Sequence, residues 1–184
     1  GRMFQDNHIF GEMSVLDNML IANSLNSGEN PVSALLFKKR LKRDEVKRTE
    51  KTAQIFDTFF GKESPFWEKR YVPAGTLSYG QQRLLGLARL FMREYQLLLL
   101  DEPSSGVNPE VIEQIKVLIR RFTEQNQTVL LIEHNLDVVQ DIADFCCYMD
   151  QGRITLMGTP ADVITRISSA VLKSNILSAS AVTS

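Results

Sequence analysis

A short apolar run that ends in two carboxylates constrains the fold of this chain more than any other feature. The run Leu97–Leu100 is strand-sized and is followed directly by Asp101 and Glu102. An amphipathic segment separates it from a second apolar run, Val129–Ile132. Short continuous apolar runs alternating with amphipathic helices are typical of a parallel sheet that is buried on both faces. The chain is therefore predicted to be an α/β protein with helices beside a mostly parallel sheet.

The same reasoning places the elements around these runs. The predicted strands are Leu97–Asp101, Thr128–Glu133 and Phe145–Asp150, with a turn at 150–153 leading into Ile154–Met157 as a hairpin. Asn108 and Pro109 are predicted to begin the helix between the first two strands. Its apolar positions form one stripe, which consists of Val111, Ile115, Leu118, Ile119 and Phe122. A last helix is expected from Thr159-Pro160 to about Ile167, and the tail after it carries no readable chemistry.

The first half of the chain is predicted to be mainly helical. Ser14 is expected to cap a helix that runs to about Asn23. The range Lys38–Lys51 is crowded with charges of both signs. Contact with nucleic acid or lipid is one interpretation of it, but mixed charges at helical spacing favour a solvated helix face. The region from Met13 to Pro73 is therefore predicted to be a helical subdomain.

Composition and charge exclude several classes of function. A net charge of −1 gives no basic field, so nucleic acid is not expected as a partner. The apolar runs are far shorter than the roughly 20 residues needed to span a bilayer. Cys146 and Cys147 lie in an apolar strand-like run, where reduced core packing is favoured over a disulfide framework or a metal site. Any membrane role is thus expected to be peripheral.

Three groups of residues carry candidate chemistry. Asp101 and Glu102 stand at the end of a buried strand, where paired carboxylates are costly unless they serve a site, although a strand-end cap is the simpler alternative. His134 follows the next strand, at the edge where parallel sheets bind nucleotides, whereas a structural role is more usual for one histidine. His8 has no partner pattern around it and is predicted to be a surface or loop residue.

The third group lies at the start of a helix. Ser78, Tyr79 and Gly80 precede a predicted helix from Gln81 to about Arg93, so their backbone donors lie at the positive end of its dipole. That arrangement suits an anion such as phosphate. A plain helix cap by Ser78 is the alternative, and it would hold in either case.

Taken together, these motifs resemble those of the ATP-binding cassette (ABC) ATPases. The resemblance rests on Leu-Ser-Tyr-Gly-Gln-Gln-Arg at 77–83, Leu-Leu-Leu-Leu-Asp-Glu-Pro at 97–103 and Glu-His at 133–134, in this order. It implies that Asp101 organises Mg²⁺, that Glu102 is the general base and that His134 contacts the γ-phosphate of ATP. It implies further that Gln5 is the glutamine that reaches Mg²⁺ and water. The nucleotide-binding residues implied are Ser78, Tyr79, Gly80, Gln81, Ser105, Gly106 and Asn108.

The resemblance also implies partners and a place in the cell. In this family, the motif at Ser78–Gly80 contacts a nucleotide held by a second ATPase subunit in a head-to-tail dimer. Tyr79, Gly106 and Asn108 resemble the branch that serves branched-chain amino acid importers. The implied partners are that second subunit and transmembrane permease subunits, at the cytoplasmic face of the membrane. Import of branched-chain or related amino acids is the implied function.

One part of the family pattern is missing from these 184 residues. No segment matches the phosphate loop G-x-x-x-x-G-K-S/T, and Gly61-Lys62-Glu63-Ser64 fails because Phe56 and Glu63 replace required residues. We expect an incomplete N-terminus and, beside the strand that ends near Glu133, either a gap in the sheet or a tendency of the chain to associate. The predicted divisions are a Q-loop segment at 1–12, the helical subdomain at 13–76, the signature motif and rest of the core at 77–167, and a tail at 168–184.

Two other functional hypotheses stay open at this point. A truncated, non-hydrolysing subunit could act as an interaction module that complements a full-length ATPase. A soluble cassette protein acting on ribosomes or DNA is disfavoured, because the chain has one cassette and neither a basic extension nor a coiled coil.

Overall fold

The computed structural model describes residues 2–3, 9–22, 46–47, 49–50, 52–54, 68–92 and 95–169. By their internal contacts the residues divide into two compact units, Gly1–Ile132 and Glu133–Ser184. The divisions proposed from the sequence after residues 12, 76 and 167 stay predictions. In the described ranges, no helix has the length and apolar character required to cross a membrane.

The first unit is built on a parallel sheet, as predicted. Its strands are β1 (Arg2–Met3), β2 (Leu97–Asp101) and β3 (Thr128–Ile132), in the order β1-β2-β3. Both pairings are parallel, and Leu99 lies opposite Leu130 in the second. The limits of β2 are as predicted, and β3 ends one residue earlier than expected. The strand β1 was not predicted, because two residues are too few for a strand period to be recognised.

The two faces of this sheet differ in burial. Leu98 and Leu100 are buried, and the core of this unit continues into two helices, α2 (Tyr79–Phe91) and α3 (Pro109–Thr123). On the other face, Leu130 and Ile132 are 59% and 60% exposed. The prediction of burial on both faces is therefore wrong for the described residues, because no described element covers that second face. The predicted gap beside β3 stays a prediction.

The helix α3 forms as its sequence indicates. Asn108 caps it through Oδ1, which accepts a hydrogen bond from the Val111 N–H at 2.9 Å, and Pro109 takes the first helical position. All five residues of the predicted apolar stripe are buried. Phe122 contacts Phe91 of α2 with ring centroids 4.9 Å apart, so α3 and α2 pack directly on each other.

The described part of the first half is helical. The helix α1 (Val15–Ala22) begins after Ser14, whose Oγ accepts a hydrogen bond from the Asp17 N–H, as predicted. The buried Asn18 side chain accepts from the Phe10 N–H and donates to the Phe10 carbonyl, both at 2.9 Å. In the charged range, residues 46, 47, 49 and 50 are helical and exposed, which agrees with a solvated face. The rest of Lys38–Lys51 lies outside the described residues.

The second unit holds a short helix, a hairpin and a last helix. The helix α4 (Leu136–Ile142) precedes the antiparallel strands β4 (Cys146–Asp150) and β5 (Arg153–Gly158), and residues 160–169 are helical. Thr159 caps that helix, as predicted, because its Oγ1 accepts a hydrogen bond from the Asp162 N–H. Both cysteines are free, but Cys147 is exposed, so core packing was a wrong expectation for it. Burial raises the pKa of the Cys146 thiol, and the charge of Cys147 raises it further.

Candidate functional site

The carboxylate pair stands at the carboxyl end of β2, where the chain makes a tight turn. Asp101 is the last residue of the strand and is half-buried. Glu102 follows with a φ of 45°, in the left-handed region that is unfavourable for a residue with a side chain. Its N–H donates to the Ile132 carbonyl at 2.9 Å, which extends the pairing between β2 and β3 by one bond. Glu102 is therefore held at a fixed point of the sheet although its backbone has left the strand.

The loop after Glu102 leads directly into α3. The Ser105 N–H donates to the Glu102 carbonyl at 3.1 Å and closes the turn. Gly106 follows with a φ of 72°, a conformation that glycine adopts without steric cost. Asn108 then caps α3, so its amide oxygen is already engaged within the chain. Each of these candidate residues, Ser105, Gly106 and Asn108, thus has a structural role in the loop. Any role in nucleotide binding would be additional to it.

The first turn of α2 contains a capping box. The Ser78 Oγ accepts from the Gln81 N–H at 3.3 Å, and the Gln81 Oε1 accepts from the Ser78 N–H at 3.2 Å. The helix begins at Tyr79 and not at Gln81 as predicted, so Tyr79 and Gly80 are its first two residues. No described residue accepts a hydrogen bond from the N–H of Tyr79 or of Gly80. A phosphate oxygen is the type of acceptor that such donors bind.

Close contacts join this helix start to the carboxylate loop. A Cβ added at Gly80 would stand 2.8 Å from a γ-methyl carbon of Val111, in the first turn of α3. A Cβ added at Gly106 would stand 3.5 Å from the Tyr79 ring. The structure therefore brings Tyr79 and Gly80 next to Gly106 and Val111. The requirement for glycine at position 80 comes from this approach and not from its backbone conformation.

Replacing Gly80 by alanine should destabilise the folded protein by about 1–3 kcal/mol through overpacking against Val111. Part of that cost is offset, because alanine favours a helix by up to about 1 kcal/mol over glycine. Urea unfolding of the complete protein measures the change. The Gly80→Ala, Val111→Ala double variant should be less destabilised than the sum of the two single variants. Additive losses would contradict the contact.

The candidate residue His134 belongs to the second unit. It is exposed, and its N–H donates to the Glu133 Oε2 at 3.2 Å. The same oxygen accepts from the Asn135 N–H at 3.4 Å, and Asn135 caps α4. Glu133 thus orders the backbone on both sides of His134. The catalytic role of His134 stays a prediction, and Gln5 lies outside the described residues.

Arg83 was not among the candidate residues predicted from the sequence. Its side chain is fully buried, and its guanidinium reaches the Glu102 carbonyl. The signal that could have identified it is an arginine on the apolar side of α2, four residues after Tyr79. No group of three or more His, Cys, Asp or Glu side chains able to hold a metal occurs in the ranges that the structure describes.

Comparison of this sequence with known proteins shows which protein family it resembles. A family profile described as "ABC transporter" matches residues 1–105. The chain is 36% identical over 163 residues to the high-affinity branched-chain amino acid transport ATP-binding protein BraF of Pseudomonas aeruginosa. It is 33% identical over 166 residues to a probable branched-chain amino acid transport ATP-binding protein of Methanocaldococcus jannaschii. These alignments take in 88% and 90% of this chain and 62% of each relative.

Solved structures give the same result for the fold. A nucleotide-free ATP-binding cassette from an ABC transporter matches with a TM-score of 0.68 and 29% identity, over 91% of this chain and 64% of that one. A cassette from Clostridium perfringens that is part of an ABC transporter complex matches with the same TM-score, 0.68, at 24% identity. The parallel sheet with flanking helices is therefore the cassette type of the P-loop NTPase fold.

Proposed function

Because this chain belongs to the ABC transporter family, we propose that it forms most of a nucleotide-binding subunit that couples ATP hydrolysis to transport across a membrane. The observation that carries the proposal is the joined arrangement at the end of β2. There, the turn at Glu102 is hydrogen-bonded to the end of β3, and the loop that follows it contacts the start of α2. The first two N–H groups of α2 have no acceptor among the described residues. Phosphoryl transfer needs both a group that orients water and donors for phosphate oxygens.

Within this proposal, the site residues divide by task. Glu102 is the general base that orients the attacking water, and His134 contacts the γ-phosphate. Gln5 reaches the metal and the water. Ser78, Tyr79, Gly80 and Gln81, together with Ser105, Gly106 and Asn108, bind the nucleotide held by a second subunit. Two subunits in head-to-tail contact would then complete two sites.

The residues present fit a magnesium ion that arrives with its nucleotide. Mg²⁺ keeps several waters and is usually bound by one or two carboxylates plus substrate phosphates. The half-buried carboxylate of Asp101 at the strand end is a donor of that kind. A dedicated cage made only of protein ligands is therefore not required. When bound, Mg²⁺ would offset the charge that develops on the phosphate oxygens.

The transported substrate is proposed from the relatives. Two proteins whose names include branched-chain amino acid transport match most of this chain. We propose that the complete subunit docks on transmembrane permease subunits at the cytoplasmic face of the membrane and drives import of branched-chain or related amino acids. Reconstitution of the complete subunit with its permease in proteoliposomes tests this proposal. ATP-dependent uptake of labelled leucine is the expected result, and phosphate release without uptake of any amino acid would contradict the transport role.

Changing His134 to alanine in the complete subunit should slow hydrolysis much more than it weakens nucleotide binding. A residue that aligns the γ-phosphate with water acts chiefly in the transition state, where its loss lowers kcat. Steady-state phosphate release and equilibrium binding of labelled ATP measure the two effects. The chain contains only two histidines, so His8→Ala is the matched control and should leave turnover unchanged. Equal losses of turnover and binding would assign His134 to folding instead.

A further inference from the structure

Arg83 stands in an environment that arginine rarely occupies. Its side chain has no solvent exposure and lies in α2 beside the buried Leu84 and Leu87. A buried guanidinium is unfavourable unless its charge and donors are compensated. The groups that Arg83 contacts therefore indicate why a cation is present here.

Two of these contacts are with residues of the candidate site. One terminal nitrogen, Nη2, donates to the Glu102 carbonyl at 3.4 Å, which is a long hydrogen bond. The guanidinium carbon also lies 5.5 Å from the centre of the Tyr79 ring, within the range of a cation–π interaction. Arg83 is thus bound both to the carboxylate turn and to the first residue of its own helix.

The Glu102 backbone depends on these bonds for its conformation. A φ of 45° is unfavourable for glutamate and persists only where neighbouring groups hold it. Its N–H is held by the Ile132 carbonyl, while its own carbonyl accepts from the Ser105 N–H and from Arg83. The direction of the glutamate side chain follows from that backbone. Of the three groups bonded to the Glu102 backbone here, the Arg83 guanidinium is the one that belongs to α2.

We propose that Arg83 is a positioning residue that holds the Glu102 turn in its catalytic orientation and couples it to the start of α2. The inference rests on the proposed function, in which Glu102 is the general base. The contact also connects two nucleotide sites. The Ser78–Gly80 turn serves the nucleotide of the second subunit, whereas Glu102 serves the nucleotide of its own subunit. Arg83 would therefore make the orientation of one base depend on how α2 is seated at the other site.

The test uses Arg83→Met and Arg83→Lys in the complete subunit, with Arg89→Met as the control on the same helix. We expect Arg83→Met to lower kcat about tenfold while KM for ATP changes less than about threefold, since a small displacement of a base slows chemistry more than binding. Arg83→Lys keeps the buried positive charge, so this variant should remain folded. Its single flexible ammonium cannot reproduce the fixed geometry of the guanidinium, so it should lose turnover as well. Arg89→Met should retain turnover.

A second measurement separates positioning from support of the helix. In the Glu102→Gln background, the formation of the ATP-bound dimer is followed by light scattering with and without Arg83→Met. Equal ATP dependence of the two dimers is expected, because α2 still offers its donors and the base is already absent. Weaker dimer formation in the double variant would overturn the inference and assign Arg83 to the helix start.

The outcomes distinguish this inference from the function on which it rests. A complete wild-type subunit without ATPase activity would contradict the proposed function itself. An active wild type with unchanged turnover in both Arg83 variants would overturn only the positioning role. If Arg83→Met does not fold, the turnover of Arg83→Lys decides the question alone.

Discussion

Replacing Glu102 by glutamine in the complete subunit is expected to lower steady-state ATP turnover by at least ~10²-fold while ATP binding survives. Glutamine keeps the size of the side chain and one oxygen, but it cannot accept the proton of the attacking water. The backbone bonds that hold position 102 do not involve the side chain, so the turn should persist. The ATP-bound dimer should therefore accumulate. Phosphate release and size-exclusion chromatography with Mg·ATP measure the two effects.

The matched control for this change is Glu124→Gln. Glu124 is an exposed glutamate at the other end of α3, so its replacement removes the same charge away from the site. Turnover of this control should equal that of the wild type. Near-normal turnover in Glu102→Gln would remove Glu102 from the role of base, and loss of ATP binding in that variant would show that the change had altered the fold.

The βαβ unit from β2 to β3 could be predicted because each of its signals is local. The apolar run, the cap at Asn108, the proline at 109 and the five-residue stripe of α3 all lie within a few residues of the structure that they specify. The same holds for the caps at Ser14 and Thr159. Local propensity and tertiary packing agree in these segments, and the sequence was sufficient there.

The contacts between α2 and the loop after β2 could not be predicted from the sequence. The approach of Gly80 to Val111 connects residues that are far apart in the chain, and no period or motif encodes which methyl group a glycine meets. The bond from Arg83 to the Glu102 carbonyl likewise depends on how α2 lies against the end of β2. Sequence patterns predict which residues are candidates for chemistry, but the distances between them follow from packing.

The uncovered face of the sheet shows a different limit. An apolar run indicates burial without specifying what provides it. The strand β3 has the apolar composition of a strand buried on both faces. Two of its residues, Leu130 and Ile132, are nevertheless more than half exposed in the structure. Their apolar character was inferred correctly, whereas the element that would cover them is not among the described residues.

The 184-residue chain by itself is expected neither to hydrolyse ATP nor to bind it tightly. It contains Asp101, Glu102 and His134, but no G-x-x-x-x-G-K-S/T segment. That loop supplies the backbone donors and the lysine for the β- and γ-phosphates, together with a hydroxyl for the metal. Because positioning provides most of the catalysis of phosphoryl transfer, a base without a held phosphate has no substrate to act on.

Isothermal titration of the purified 184-residue chain with Mg·ATP measures this prediction, with the complete subunit as the control. The complete subunit should bind in the micromolar range, whereas the 184-residue chain should give no measurable heat of binding at the same concentrations. The exposed side chains of Leu130 and Ile132 also predict that the isolated chain associates, so its mass in solution must be determined alongside. Micromolar affinity with phosphate release from the 184-residue chain would contradict the prediction, because the phosphates would then be held by residues other than those of a phosphate loop.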